Sequence, residues 1–279
     1  MMQKIAIIAS SKDPAGANIR INLIELFDFR KLNDKFDNNE VYEFDKINDK
    51  IIKLYLTNND LIFSENIDGQ IDADIFIFAS KHRSKEDTPA FTVHSIGNWN
   101  SAEMGGCERK LCPSSAILIK NIFLELNENA KHTNYDITME STHHGPYVEK
   151  PAVFVEIGST EKEWKDKANG VIIAKTIISS LQNKNKDYKI AVGIGGTHYC
   201  TNFNKIMLRS DIAFSYVCPK YALNYLNEEM INQAITKTKE KADFAVLDWK
   251  GLGTEKKRIV EILEKLSIKT ERTNKILKD

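Results

Sequence analysis

Short β-branched runs alternate along this chain with longer segments whose apolar residues recur at helical spacing. Lys4–Ala9 (KIAIIA) and Asp74–Ala79 (DIFIFA) are apolar at successive positions, the pattern of a strand covered on both faces. The same reasoning predicts strands at Tyr135–Glu140, Ala152–Ile157, Lys189–Ile194, Ile212–Val217 and Phe244–Leu247. Helices are predicted at Ile19–Phe27, Ala116–Leu126, Glu161–Leu181, Glu228–Lys239 and Thr254–Leu266. Ser10–Asn18, with Asp13-Pro14 and Gly16, reads as a turn, and Thr88–Cys112 reads mostly as loop. The alternation predicts an α/β fold of three layers, with a largely parallel or mixed central sheet and helices on both faces. No repeat or low-complexity linker interrupts it. Residues 1–279 therefore read as one domain, with the Asn- and Asp-rich stretch 28–72 as a small polar subregion.

Composition narrows the class. Apolar residues are 42% and charged residues 28% of 279, which excludes disordered and collagen-like chains. Lys plus Arg and Asp plus Glu are 39 each, so net charge does not mark a nucleic-acid binder. The charge is unevenly spread: Ile21–Ser80 holds 13 acids and 6 bases, and Lys250–Asp279 holds 9 bases and 5 acids. The basic end reads first as a solvated helix surface. Cys107, Cys112, Cys200 and Cys218 form no C-x-x-C pair and suit free thiols in a reducing compartment. Ile5–Ala9 is too short for a signal-peptide core, and no run approaches the length of a membrane span. The expectation is a soluble cytoplasmic protein, a monomer with no obligate protein partner.

The six histidines are not scattered evenly. His82, His94, His143, His144 and His198 lie beside predicted strand ends, among Gly, Ser, Thr or Pro; His132 does not. In open α/β sheets ligands bind beyond the carboxyl ends of strands, so these segments can meet at one rim. Converging imidazoles with a carboxylate suit Zn²⁺, which lowers the pKa of bound water towards neutrality. A hydrogen-bonded structural histidine is the plain alternative at each position. His143-His144 is the stronger signal, because adjacent strand residues diverge and only a turn lets both serve one site.

Two acids stand out. Glu156 lies within the apolar run Ala152–Ile157, where a carboxylate needs a cation, a metal or donors. Glu140 closes the strand before the double histidine and carries less weight, since an edge acid reaching solvent fits as well. Gly193-Ile194-Gly195-Gly196 offers backbone N–H groups for an oxyanion or phosphate, or is simply a tight turn. Lys81, Arg83 and Lys85 around His82 suit a phosphate or an exposed basic loop. No G-x-S-x-G elbow occurs, and no cysteine stands in a nucleophile's setting.

These segments, in order, resemble the archaeal-type D-aminoacyl-tRNA deacylases, a family shared with plants. The matching pieces are Asp13-Pro14-Ala15-Gly16-Ala17-Asn18-Ile19, Ser80-Lys81-His82-Arg83-Ser84, and Thr92-Val93-His94 with Gly97-Asn98. Further on are Ser141-Thr142-His143-His144-Gly145-Pro146, Phe154-Val155-Glu156-Ile157-Gly158-Ser159 and Gly195-Gly196-Thr197-His198-Tyr199. The family's last segment reads three glycines before the histidine and has a proline two residues after the tyrosine; here Thr197 and Thr201 stand instead. The resemblance implies hydrolysis of the ester joining a D-amino acid to the tRNA 3′-terminal adenosine, zinc as cofactor, and chirality proofreading in translation. It implies His143, His144, His198 and Glu156 as metal ligands or acid–base groups. His82, Arg83, His94 and Asn18 would contact substrate, with Gly195 and Gly196 donating N–H groups to the oxyanion. Walls that clash with an L side chain would select the D substrate.

Two other classes compete on the residues alone. One is another hydrolase or a phosphorylase at the same rim, peptidyl-tRNA hydrolase-like or nucleoside phosphorylase-like, the latter recognisable by dependence on inorganic phosphate. The other is an RNA-binding module using the Lys250–Lys278 face, which would be indifferent to His143→Ala.

Overall fold

A computed structural model describes residues 2–182 and 187–278. The chain runs through β1 (Gln3–Ser10), α1 (Pro14–Leu26), β2 (Arg30–Phe36), β3 (Asn39–Phe44), β4 (Lys50–Thr57), α2 (Ile67–Gln70), β5 (Ile75–Lys81) and β6 (Ala90–Ser95). It continues through α3 (Ala116–Asn129), β7 (Asp136–Met139), β8 (Ala152–Gly158), α4 (Glu161–Lys165), α5 (Lys167–Gln182) and β9 (Lys189–Gly196). α6 (Thr201–Arg209), β10 (Ile212–Pro219), α7 (Glu228–Thr236), β11 (Phe244–Leu247), α8 (Lys256–Lys265), β12 (Thr270–Arg272) and α9 (Thr273–Ile276) complete it.

The strands form two sheets. The larger has the order β2-β3-β4-β1-β5-β8-β6-β7 and the smaller β10-β9-β11-β12. The run β4-β1-β5-β8 is parallel, and β6 is antiparallel to β8. The smaller sheet is parallel throughout. The fold is thus mixed α/β, as the alternation predicts. The polar stretch 28–72 becomes the antiparallel edge β2-β3-β4 followed by the short turn Leu61–Phe63 and α2.

Alternation along β1 explains the layering. Ile5 and Ile7 join a core with Ile19 and Leu23 of α1, Ile122 of α3 and Ile177 of α5. Ala6 and Ile8 face the other way, with Phe76, Phe78 and Phe154, under Leu61, Ile67 and Val148. Helices therefore cover both faces, long ones on one and short ones with loops on the other. The first core also takes in Ala191, Phe214 and Val246, which ties the two sheets together. Phe78 and Phe154 stack at 4.9 Å between ring centres. Full burial of such a ring contributes about 3 kcal/mol.

Local chemistry moved several boundaries. The Asp13 carboxylate accepts from Ala15 N and Gly16 N, both at 2.9 Å, and Pro14 opens the helix. The segment expected as a turn is therefore the cap and first turns of α1. One predicted helix is two, because Thr160 and Glu163 form a capping box for α4 and Asp166 breaks the run before α5. Strand β6 lies inside the segment expected mostly as loop. Helix α6 was not expected; it buries Phe203, Ile206 and Met207 along one face.

Candidate active site

Five histidines meet beside the carboxyl end of β5 (His82), within β6 (His94) and in the segments that follow β7 and β9 (His143, His144 and His198). His143 lies 4.3 Å from His94, 4.3 Å from His144 and 4.8 Å from His198, ring centre to ring centre. His82 joins them through Glu140, whose Oε1 stands 3.0 Å from His82 Nδ1 and whose Oε2 stands 3.0 Å from His198 Nε2. His132 is exposed and apart. The cluster forms the floor of a hollow of about 430 Å³, whose lining includes Leu61, Phe63, Arg83 and Met104, a size that suits a small ligand.

Each imidazole is placed by its element. His82 follows β5, with its N–H donating to Ile157 O at 2.8 Å and its carbonyl accepting from Trp164 Nε1 at 3.1 Å. Gly158 leaves the ring its space: a Cβ there would lie 2.7 Å from His82 Cδ2. Beneath, Asp13 accepts from Ser80 Oγ at 3.0 Å and Lys81 N at 2.9 Å, fixing the approach to His82. His94 sits within β6, stacked on Phe154. His144 takes a left-handed backbone (φ 46°), which turns two adjacent side chains into one site. Trp99 Nε1 donates to Thr142 O at 3.1 Å, and Val217 N donates to Thr142 Oγ1 at 3.1 Å, holding this turn against the smaller sheet.

The tautomers follow from the partners. His94 Nδ1 contacts Ser95 O at 3.1 Å, His143 Nδ1 contacts Ser141 O at 2.8 Å, and His144 Nδ1 contacts Gly145 O at 2.6 Å. A carbonyl can only accept, so Nδ1 donates in all three, and Nε2 is left as the second ring nitrogen. These three residues bring one ring nitrogen each within 4.8 Å of one another. His94 Nε2 is buried without a hydrogen-bond partner. Both Glu140 oxygens are likewise buried and face imidazoles at ion-pair distance without hydrogen-bond alignment.

Charge balances inside the cluster. Burial, then the neighbouring His94, hold His143 well below the usual histidine range and His144 down to about 4, so both are neutral near pH 7. Burial also opposes charge on His82, but Glu140 and Glu156 overcome it and raise that ring to about 11. His94 is raised for the same reason, by Glu156 and then Glu140 against burial. Burial would raise the two acids, yet their imidazole neighbours hold both below the ordinary carboxylate range.

Not every expected residue belongs here. Asn18 does not: its amide donates to Trp164 O at 3.0 Å and Asp166 O at 2.7 Å, tying α1 to the α4–α5 break. Asn18 does not line the hollow. Gly195 and Gly196 do not line the hollow; a Cβ would meet Leu252 at 2.9 Å and Phe203 at 2.7 Å, so they serve close packing. The set His143, His144, His198 and Glu156 is not one ligand group. His143 and His144 group with His94, His143 and His198 group with Glu140, and Glu156 groups with His82 and Glu140. Sequence reasoning underweighted Glu140 and did not find Asp13, or Tyr199, whose hydroxyl is 3.2 Å from His82 Nε2. Glu140 was signalled only by its place just before the double histidine.

Residues 69–271 match the family model for D-aminoacyl-tRNA deacylase. The chain is 37% identical to the D-aminoacyl-tRNA deacylase of Methanosarcina barkeri, over 98% of this chain and 90% of that one. It is 38% identical to that of Methanocaldococcus jannaschii, over 96% and 99%. A crystal structure of a conserved protein of unknown function superposes with a TM-score of 0.90, at 33% identity over 100% of this chain and 98% of the other.

Proposed function

This chain belongs to the D-aminoacyl-tRNA deacylases, hydrolases of the aminoacyl-tRNA ester bond, and we propose that its histidine hollow performs that hydrolysis with a zinc ion held by His94, His143 and His144. The observation that carries this reading is the set of three Nδ1 atoms tied to backbone carbonyls, which leaves one nitrogen of each ring for a common centre. Imidazole ligands to zinc are commonly oriented by such a bond on the second nitrogen. His143 and His144 are neutral near pH 7, as ligation requires, whereas His94, raised by Glu156 and Glu140, would give up its proton on binding the metal. Zinc bound there would supply Lewis acidity and a water acidified to near neutrality.

The chain's own groups do the rest. Glu140 lies 3.0 Å from His198 Nε2, and the other ring nitrogen, Nδ1, faces the hydroxyls of Ser141 and Tyr221 at 3.4 Å each. In this reading His198 Nδ1 takes the proton of the attacking water and returns it to the departing ribose oxygen. The ester C–O bond breaks, releasing the D-amino acid and the tRNA 3′ hydroxyl. His82, protonated between Glu140 and Glu156, brings positive charge to the hollow where the carbonyl oxygen becomes negative. All five imidazoles come from one chain, so one copy carries the whole cluster, and a tRNA substrate supports a cytoplasmic enzyme. No helix among the described residues is long and apolar enough to cross a membrane.

The test is deacylation of D-tyrosyl-tRNA and L-tyrosyl-tRNA before and after chelation, then with zinc restored. The D ester should turn over far faster, stop on metal removal and resume with zinc. Equal rates on both enantiomers would refute the substrate reading, and full activity without metal would refute the zinc reading. The phosphorylase and RNA-module readings gain nothing from the comparisons.

A further inference from the structure

The rim of the hollow carries groups that the hydrolysis does not use. Phe63 is 56% exposed and Met104 is 55% exposed, and both line the hollow. Single exposed apolar side chains are ordinary, but these two are rigidly mounted. At Gly105 (φ 76°) a Cβ would lie 1.8 Å from Ile62 O, and at Gly145 a Cβ would lie 2.5 Å from the same carbonyl. Gly145 N donates to Met104 O at 3.0 Å. The Glu65 carboxylate accepts from Gly106 N and from Tyr147 N, both at 2.7 Å. The backbones that carry Phe63, Met104 and the double histidine are thus locked to one another. On the same hollow Arg83 is exposed, with no ion-pair partner among the described residues.

From this rim we infer a binding site for unpaired nucleotides: Phe63, which lines the hollow together with Met104, stacks a base of the substrate's 3′ end, and Arg83 takes a phosphate. The inference rests on the deacylase reading. An ester seated at the imidazoles leaves in two directions, towards the amino-acid side chain and towards the nucleotide. Phosphate accompanies only the nucleotide, so an apolar ring and an unpaired guanidinium on one rim suit that direction. Stacking is also tolerant of base identity, which fits an end common to every tRNA.

The experiment pairs binding with kinetics. Binding of a labelled single-stranded RNA ending in CCA is followed by fluorescence anisotropy, and hydrolysis is followed on D-tyrosyl-tRNA and on D-tyrosine ethyl ester. Phe63→Ala should weaken RNA binding about tenfold and raise KM for D-tyrosyl-tRNA in proportion, as loss of one stacked base predicts. Its kcat should stay within about twofold and its rate on the ethyl ester should not change, while Phe63→Trp restores binding. Arg83→Ala should make RNA binding less salt-dependent, by about 0.7 in the log–log slope. Tyr225→Ala, an exposed aromatic away from the hollow, should change nothing. Unaltered RNA binding in Phe63→Ala overturns the inference, as does an equal loss on the ethyl ester, which would place the amino-acid side chain on Phe63. If wild type binds the RNA through Phe63 but does not cleave D-tyrosyl-tRNA, the deacylase reading falls and the nucleotide site stands.

Discussion

Two neighbouring histidines can face one site only if the backbone leaves the strand between them, and the left-handed His144 does this. That device was legible as a His-His pair followed by Gly-Pro, and so was the cost of an acid inside the apolar run around Glu156. Glu140 was not, because an acid at a strand end fits a solvent edge equally well until the fold encloses it. Asn18 failed for a related reason: a polar side chain near a glycine turn looks the same whether it holds a ligand or two helices. The buried neutral rings set a pH dependence. His144 is held down to about 4, below its unfolded value, so its contribution is complete at neutral pH and is lost as pH falls from about 6.5 towards 4. In metal-free protein this amounts to about 2 kcal/mol between pH 7 and pH 5. His82, raised to about 11, works the opposite way: its contribution is complete below about 6.5 and is lost progressively as pH rises towards about 11. Urea unfolding at the two pH values measures this. His144→Gln should lose less stability on acidification than wild type, and equal losses would contradict the assignment.

Elements position these residues by close backbone approach as much as by side-chain bonds. The strands were readable because both faces of the large sheet are covered, which leaves unbroken apolar runs. Helix α1 was misplaced at its start because Asp13-Pro14 marks a cap as well as it marks a turn. The antiparallel edge β2-β3-β4 was unreadable because exposed edge strands such as β2 carry charge where an alternating pattern would otherwise show. Glycine at the double-histidine turn has a use that spacing alone does not reveal. A Cβ on Gly145 would lie 2.2 Å from Gly106 N and 2.4 Å from Gly105 C, both backbone atoms. Gly145→Ala should therefore cost about 3 kcal/mol of stability. It should also depress turnover, since the turn carrying His143 must move. Gly69→Ala, in α2 with nothing within 4 Å, should be neutral or stabilising by about 0.5 kcal/mol. Thermal and urea unfolding of the pair decide it, and similar losses in both would contradict the clamp.

At the scale of the whole molecule the site lies across the junction of two sheets, with His82, His94, His143 and His144 from the larger and His198 from the smaller. One apolar core runs through both sheets. The histidines converge as anticipated, but not at one rim of carboxyl ends: β6 and β7 run opposite to β5, and His94 lies inside its strand. Neither that reversal nor the division into eight and four strands was anticipated, because pairing partners leave no local trace in sequence. Net charge, zero for a chain that acts on tRNA, gave no warning of the substrate. The proposed metal centre depends on imidazoles that folding gathers from separate strands. X-ray absorption at the zinc edge, with metal content measured on wild type and His143→Ala, tests this most directly. Zinc held by His94, His143 and His144 should show nitrogen and oxygen neighbours at about 2.0–2.1 Å with the scattering of several imidazoles, and His143→Ala should lose the metal. Sulfur neighbours at about 2.3 Å, or undiminished zinc in the variant, would contradict it.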